Sequence, residues 1–486
     1  MVYISNSEKR TMITYQDYER IRDSGDVKEI MVFVKSAIES YKDSTEFKIA
    51  TTASLYDKQQ NEFMRNYQKR IVLETGESIE DVFSPNHKVC SNFYHQFTND
   101  LAYYLLGNGV TFEKEETKKK LGEDFDEKIV ELAKKAMHGK RAFGFYNIDP
   151  ETNKPTIEVF SNYSSSDNAV FIALDDEETG KTRAGIRFWQ IDDYKPLFAT
   201  LYDEDYYSTF VFRTGREPEI LVDKSPYIKN HYRIYGETGF TNGKKQSGIP
   251  IFTMWGNGEH TSEIEGMKET IDLYDLTLNA NGNDLDSALL YWLVHGADGM
   301  NQREMVQFLR KMQSQRIASV DNDRAIEPVT VSPPTEARER LLALLERRMY
   351  DDFGMLDTTT LAAGNLTATQ IIAAYEKMDL KATGLEIQVT KFIKQLLNYL
   401  GIEDNPAYTR SRLTNRLETV QIVKMASDLL TEDYQTRKIL EMLDDGDKAE
   451  KIVEEKKAET ESGEISRFVN ETQPEENPDI SQGDEE

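Results

Sequence analysis

One apolar stripe dominates the C-terminal third of the chain. Ile371, Ala374, Tyr375, Met378, Ala382, Leu385, Val389, Phe392, Ile393, Leu396 and Leu400 recur three and four residues apart and are stopped by Gly401. A helix of roughly 36 residues, over 366–402, would span about 50 Å. A stripe of that length needs a large body to bury it.

Another seam precedes it. Ser262 with Glu265 three residues on makes a capping box. Ile264, Met267, Ile271, Tyr274, Leu278, Leu285, Leu289 and Trp292 then recur mostly at helical spacing, with one gap around Gly282. A long helix over 265–292 is expected. Pro333 and Pro334 end the next segment, and Thr335 is placed to cap a helix through about Tyr350. Between the two helices, 293–334 mixes a short helix around Glu304–Gln313 with strand-like runs, which reads as a small α/β insertion. Residues 357–365, AspThrThrThrLeuAlaAlaGlyAsn, are small, polar and flexible in character.

Towards the N-terminus, Val89, Phe93, Phe97, Leu101 and Tyr104 predict an amphipathic helix that breaks at Gly107 and Gly109, and a second helix follows over Asp124–Met137. Six β-favouring runs between 142 and 213, separated by turn chemistry, predict an antiparallel sheet across 140–235. Helical patterns at Glu418–Leu430 and Thr436–Leu443 lead into the charged run Lys448–Lys457. Beyond Arg467 there is no Lys or Arg, so the acidic tail, 457–486, is expected to be disordered. The fold class is α+β, predominantly helical, and 486 residues call for several subdomains.

Composition narrows the function. A formal charge of -27 disfavours a protein that clamps DNA, because phosphate binding draws its affinity from Lys and Arg. Cys90 is the single cysteine, so no disulfide framework or multi-cysteine metal site can form, and a buried, inert thiol in a reducing cytoplasm is expected. The longest apolar run, Ala288–Val294, is far too short to cross a bilayer, which leads to the expectation of a soluble, cytoplasmic protein.

The motifs with chemical meaning fail on spacing. GETGFTNGKK at 236–245 has three residues between the glycine pair and Lys245 where a phosphate loop needs Ser or Thr. The histidines His87, His95, His138, His231, His260 and His295 show no zinc spacing, and GxSxG is absent. Asp192 and Asp193, with Asp203, Glu204 and Asp205, could hold magnesium in a nuclease, but hairpin turns explain them more simply. No catalytic residue, metal site or cofactor is assigned, and the chain is read as a non-enzyme.

Four segments carry a resemblance to the portal proteins of tailed double-stranded DNA phages, in particular the family typical of long-tailed phages of Gram-positive hosts. They are NDLAYYLLGNGVTF (99–112), GIPIFTMWGNGEHTSEIEGMKETIDLYD (248–275), LAAGNLTATQIIAAYEKMDLKATGLEIQVTKFIKQLL (361–397) and LETVQIVKMASDLLTEDYQTRKILEMLDDGDKAEKIVEEKKAE (417–459), in the family's order. Where the family tends to have Ser-Gly before the long helix, this chain has LeuThrAla at 366–368.

The resemblance implies a wing from 1–264 with the long helix 366–402, a stem from 265–292 and 335–352, a clip at 293–334, a tunnel loop at 353–365 and a crown at 403–456. It also implies a homododecameric ring at one capsid vertex that passes double-stranded DNA without binding it tightly. The implied partners are the terminase large subunit, the major capsid and scaffolding proteins and the head completion or adaptor proteins, with assembly in the host cytoplasm and no membrane. Lys268, Arg338, Arg340, Arg347, Arg348, Thr358, Thr359, Thr360 and Ala363 become candidates for touching DNA in the channel. Ile271, Tyr274, Leu278, Leu285 and Leu289 become candidates for the subunit interface. For each cation the competing reading is ion pairing between subunits. A magnesium-dependent nuclease or terminase-associated component is the alternative class.

Overall fold

The computed structural model describes residues 13–286 except 73–75, 82–83, 150–151, 153, 165–167, 193, 205, 227–232, 237–238 and 243–248. It further describes 290–294, 301–307 except 302 and 305, 326–330, 334–357, 368–411, 431, 433–437 and 452–453. The chain divides into two compact units, one of 1–357 with 376–411 and the other of 358–375 with 412–486. In the second unit the described residues 368–375, 433–437 and 452–453 are helical.

The first unit opens with helices α1 (Tyr15–Ser24), α2 (Val27–Asp43), α3 (Thr45–Asp57) and α4 (Glu62–Asn66), a small hairpin of β1 (Arg70–Val72) and β2 (Ser78–Glu80), and α5 (Phe93–Leu106). Strand β3 (Val110–Phe112) leads through α6 (Glu115–Leu121) to α7 (Phe125–Gly139). Asp26 starts α2 by accepting from Lys28 N at 2.8 Å, meeting one of the amides that every helix start leaves unpaired. The expected helix from Val89 begins four residues later. Val89 lies in extended chain and is half exposed, while Phe97, Leu101 and Tyr104 are buried as the spacing requires.

The strands number β4 (Arg141–Ile148), β5 (Pro155–Ser161), β6 (Ala169–Asp175), β7 (Thr182–Trp189), β8 (Leu197–Tyr202), β9 (Tyr206–Phe212), β10 (Glu219–Pro226), β11 (Arg233–Gly236), β12 (Gly239–Asn242) and β13 (Ile251–Trp255). Two principal sheets form here in place of the single one expected across 140–235. Five antiparallel strands follow the order β10-β9-β8-β7-β6, and three follow β13-β4-β5. The split arises because β13 returns from more than 100 residues away to pair with β4, Ile251 opposite Phe145, a partner that local patterning cannot announce. One face of the larger sheet buries Ile172, Ile186, Leu201 and Phe210 against Tyr18 of α1 and Val34 and Ile38 of α2.

A 3-10 turn, Glu263–Gly266, leads into α8 (Lys268–Asp286). Ser262 N donates to Glu265 Oε1 at 3.0 Å, as the capping box requires, and the Ser262 hydroxyl donates to the carbonyl of His138 at 2.6 Å. The helix ends at Asp286, short of the expected 292. Leu290–Val294 instead form strand β14, paired with β15 (Ile326–Thr330). Helix α9 (Thr335–Phe353) starts at Thr335 with Pro334 in the capping position, so Thr335 is the first helical residue and not the cap.

The long helix α10 (Ala368–Leu400) falls within the expected 366–402 and stops at Gly401, whose φ of +67° is the left-handed conformation that glycine adopts without strain. Met378, Leu385, Val389, Phe392 and Leu396 are buried. Phe392 lies over Gly144 of β4, where a Cβ would come within 2.5 Å of the ring, so no larger residue fits the strand at that point. Strand β16 (Pro406–Tyr408) then pairs with β3, and Arg410 holds α10 through Asp379 and Glu386, at 2.8 Å each. No described helix is long and apolar enough to cross a membrane. The patterns at 418–430 and 438–443 and the tail from 457 lie outside the described residues.

Candidate functional site

Helices α8 and α9 run antiparallel and are joined beyond their far ends by the β14/β15 ladder, with Val294 opposite Ile326 and Leu290 opposite Thr330. One end of this hairpin is apolar. Ile264, Met267 and Ile271 leading into and along α8, and Leu345, Met349 and Phe353 on α9, are all buried. Phe97 of α5 stacks on Phe353 at 5.4 Å and meets Tyr350 edge-on at 4.9 Å, and Phe93 meets Tyr274 edge-on at 5.1 Å. Such ring pairs add to the free energy of burying their area.

The other half of α8 is buried through polar side chains. Beyond Ile271 its buried residues are Asp272, Asp275, Thr277, Asn279 and Asn283. Three of them hold the extended segment 87–91. His87 N donates to Asn283 Oδ1 at 2.8 Å, Val89 N to Asn279 Oδ1 at 2.8 Å, and Ser91 N to Asp275 Oδ1 at 2.9 Å, while Asn279 Nδ2 returns a bond to the carbonyl of Val89 at 2.7 Å. The spacing explains the match. Four helical residues rise about 6.0 Å and two extended residues about 6.6 Å, so three rungs fit before the mismatch accumulates. Burial pushes the Asp275 carboxyl above its usual range, against the bonds it accepts from Asn61 and Ser91.

The candidate channel cations are all engaged within the chain. Lys268 bonds to Asp272 at 2.6 Å, Arg338 pairs with Asp284, Arg340 with Glu336 at 2.6 Å, Arg347 lies 3.9 Å from Asp351, and Arg348 bonds to Asp352 at 3.1 Å. Arg340, Arg347 and Arg348 are exposed, so their pairs are weak and open to exchange. Of the candidate interface residues, Ile271 is 1% exposed and packs within its own chain. Tyr274 and Leu278 are half-buried, and Leu285 is 83% exposed. Leu289, Thr358, Thr359, Thr360 and Ala363 lie outside the described residues. Sequence spacing overlooked Leu341 and Leu344 on α9, both exposed, and the polar rungs at 275, 279 and 283. The signal for the rungs was an Asp and two Asn four residues apart on one helix face.

Of the acids weighed for magnesium, Asp193 and Asp205 lie outside the described residues, and Asp203 is committed elsewhere. Asp203 sits in the β8–β9 turn, accepts from the Tyr18 hydroxyl at 2.6 Å and lies 3.7 Å from Arg22. Among the described residues no group of three His, Cys, Asp or Glu is arranged to hold a metal ion.

The family model of phage portal proteins of the SPP1 Gp6-like type matches residues 47–462. The chain belongs to that family. A portal protein of Clostridium phage phiCD119 is 23% identical over 430 residues, covering 80% of this chain and 91% of that one. Among solved structures, a chain in the neck of an empty gene transfer agent particle with C6 symmetry is 12% identical, with 72% of this chain and 90% of that chain covered and a TM-score of 0.40. A chain in the neck of the native particle with C12 symmetry is also 12% identical, with 71% and 89% covered and a TM-score of 0.36. The portal family is a structural one.

Proposed function

We propose that this portal chain closes into a dodecameric ring at one capsid vertex and gives double-stranded DNA its passage into and out of the head. The observation that carries the reading is the antiparallel α8/α9 hairpin, capped by the β14/β15 ladder and followed by the long α10. In this reading the wing comprises 1–264 and 366–402, the stem is built from α8 and α9, the clip covers about 290–334, the tunnel loop lies at 353–365, and 403–456 form the crown. Because α8 ends at Asp286 and residues 290–294 pair with 326–330, the clip takes in the strand once counted with the stem. The clip would face the terminase motor and later the adaptor proteins, and the wing the capsid and scaffolding proteins. The surplus of acids keeps phosphates from settling in one place. The arginines along α9, each held by its own acid, can touch the backbone in passing without gripping it.

Rings in negative-stain images and a twelvefold mass in native mass spectrometry are the expected results, formed without added nucleotide. Monomer alone over a wide concentration range would refute the reading. Leu285→Asp combined with Leu344→Asp places charge on two exposed apolar positions of the hairpin, so assembly is expected to fail while circular dichroism and the melting temperature stay near those of the parent. Rings from the double variant would move the interface away from this hairpin.

Bulky residues at Thr359 and Ala363 are expected to leave rings intact and to reduce packaged DNA. Unchanged packaging would place the 353–365 segment outside the channel. The same reading expects neither ATPase nor nuclease turnover. Magnesium-dependent cleavage of a plasmid by the purified ring would favour the nuclease class.

A further inference from the structure

The α8/α9 hairpin is held by two chemically different fastenings at its two ends. Near Ile271 and Met349 the contacts are apolar and buried, with Ile264, Met267 and Phe353 completing them. Over the outer half nothing apolar is buried: from Asp272 to Asp286 the buried side chains of α8 are Asp, Thr and Asn, and from Thr335 to Leu344 α9 buries none. That half is tied to the rest of the unit chiefly by polar bonds: Asp275, Asn279 and Asn283 hold the 87–91 segment, Asn61 at the start of α4 donates to Asp275 at 2.5 Å, Met64 lies against Asn279, and His87 Nε2 meets Asp286 at 2.5 Å at the end of the row.

These two kinds of contact respond differently to being opened. Separating apolar surfaces costs free energy in proportion to the area wetted. Separating an amide from a backbone N–H exchanges one hydrogen bond for bonds to water at small net cost. The segment 87–91 pairs with no β-strand among the described residues; the amides of His87, Val89 and Ser91 donate to α8, while the carbonyls of Cys90 and Ser91 accept from Gln59 Nε2 at 2.7 Å and Asn61 Nδ2 at 3.4 Å.

We propose that the α8/α9 hairpin is a lever, with an apolar pivot at Ile271, Met349 and Phe353 and a polar latch formed by Asp275, Asn279 and Asn283 on the 87–91 strap. The latch opens by local exchange with water while the pivot stays packed. From Ile271 to Asp286 the arm is about 22 Å long, at about 1.5 Å per residue, so a tilt of about 10° moves its tip by about 4 Å. The β14/β15 ladder rides on that tip. The device is a property of this chain's packing and does not depend on the channel reading.

Cys90 supplies a native reporter, since it is the chain's one cysteine, is buried, and lies on the strap between two latched residues. Maleimide labelling of Cys90 and amide hydrogen exchange in the 86–92 peptide are measured on the full chain under native conditions, with α7 as the reference core. In the parent chain the strap is expected to exchange at least about tenfold faster than α7. Asn279→Ala, which leaves the Val89 amide without its acceptor, is expected to raise both strap rates a further tenfold or so with α7 unchanged. Asn283→Ser, a milder lesion, is expected to act in the same direction. Strap and α7 exchanging together, or strap rates unmoved by both variants, would overturn the latch. Should Asn279→Ala not fold, the parent comparison and Asn283→Ser decide alone.

Discussion

Arg141→Ala is expected to destabilise the chain by about 3–5 kcal/mol, the usual cost of removing one partner from a buried ion pair. Arg141 opens β4 and is 6% exposed. Its guanidinium lies 3.4 Å from Glu46 of α3, bonds to Asp175 at the end of β6, and sits over the rings of Phe143 and Trp255. One side chain thus links an N-terminal helix to both principal sheets. Truncation leaves Glu46 and Asp175, both partly buried, without the cation they share. Arg141→Lys should recover little, because a point charge cannot reach both acids and cover the rings as a planar fork does. Adding Glu46→Gln and Asp175→Asn to Arg141→Ala should restore part of the loss in urea unfolding. If Arg141→Ala alone costs under about 1 kcal/mol, the site is wetter than its geometry indicates.

Stability is also expected to fall by about 3 kcal/mol as the pH drops from 7 to 4, through His138 alone. Its ring is enclosed by Tyr94 and Tyr163, with Nδ1 at 3.1 Å from the Tyr163 hydroxyl and Asp57 at 3.6 Å from Nε2. Burial dominates the nearby carboxylate and lowers the pKa to about 4 from an ordinary 6.5. The unfolded chain therefore takes up a proton below pH 6.5 that the folded chain refuses until about pH 4. The stabilisation from a neutral His138 is complete above 6.5 and is lost progressively between those values, at about 1.4 kcal/mol per unit. His138→Gln does not titrate, so the slope of unfolding free energy between pH 6.5 and 4 should flatten relative to the parent. Parallel slopes would mean that His138 is charged in the fold.

Much of the architecture was legible where local pattern and burial coincide. α7 and α10 follow their stripes, the capping box at Ser262 and Glu265 starts its turn, and Gly401 ends the long helix. Legibility failed where a distant partner decided. Leu289 and Trp292 extend the α8 seam on paper, yet 290–294 become a strand because 326–330 lie alongside. Val89 fits the α5 spacing, but its amide is taken by Asn279, 190 residues away, and the chain there stays extended. The inward face of α8 escaped the pattern for a related reason. Its apolar residues beyond Ile271 are half-buried or exposed, whereas the face turned inwards carries Asp and Asn, the types that patterning assigns to solvent. The candidate cations lie on α8 and α9, and Arg340, Arg347 and Arg348 are engaged by acids one turn away in their own helix, where the sequence alone offers ion pairing between subunits as the competing reading.

The β14/β15 ladder brings Val294 and Ile326 side by side, so the chain leaves and re-enters the hairpin tip at adjacent points. Closing a loop between fixed ends depends on its length only logarithmically. The segment between those two residues is therefore an exchangeable cassette. Lineages could lengthen, shorten or replace it while α8, α9 and the residues that pack them stay under separate selection.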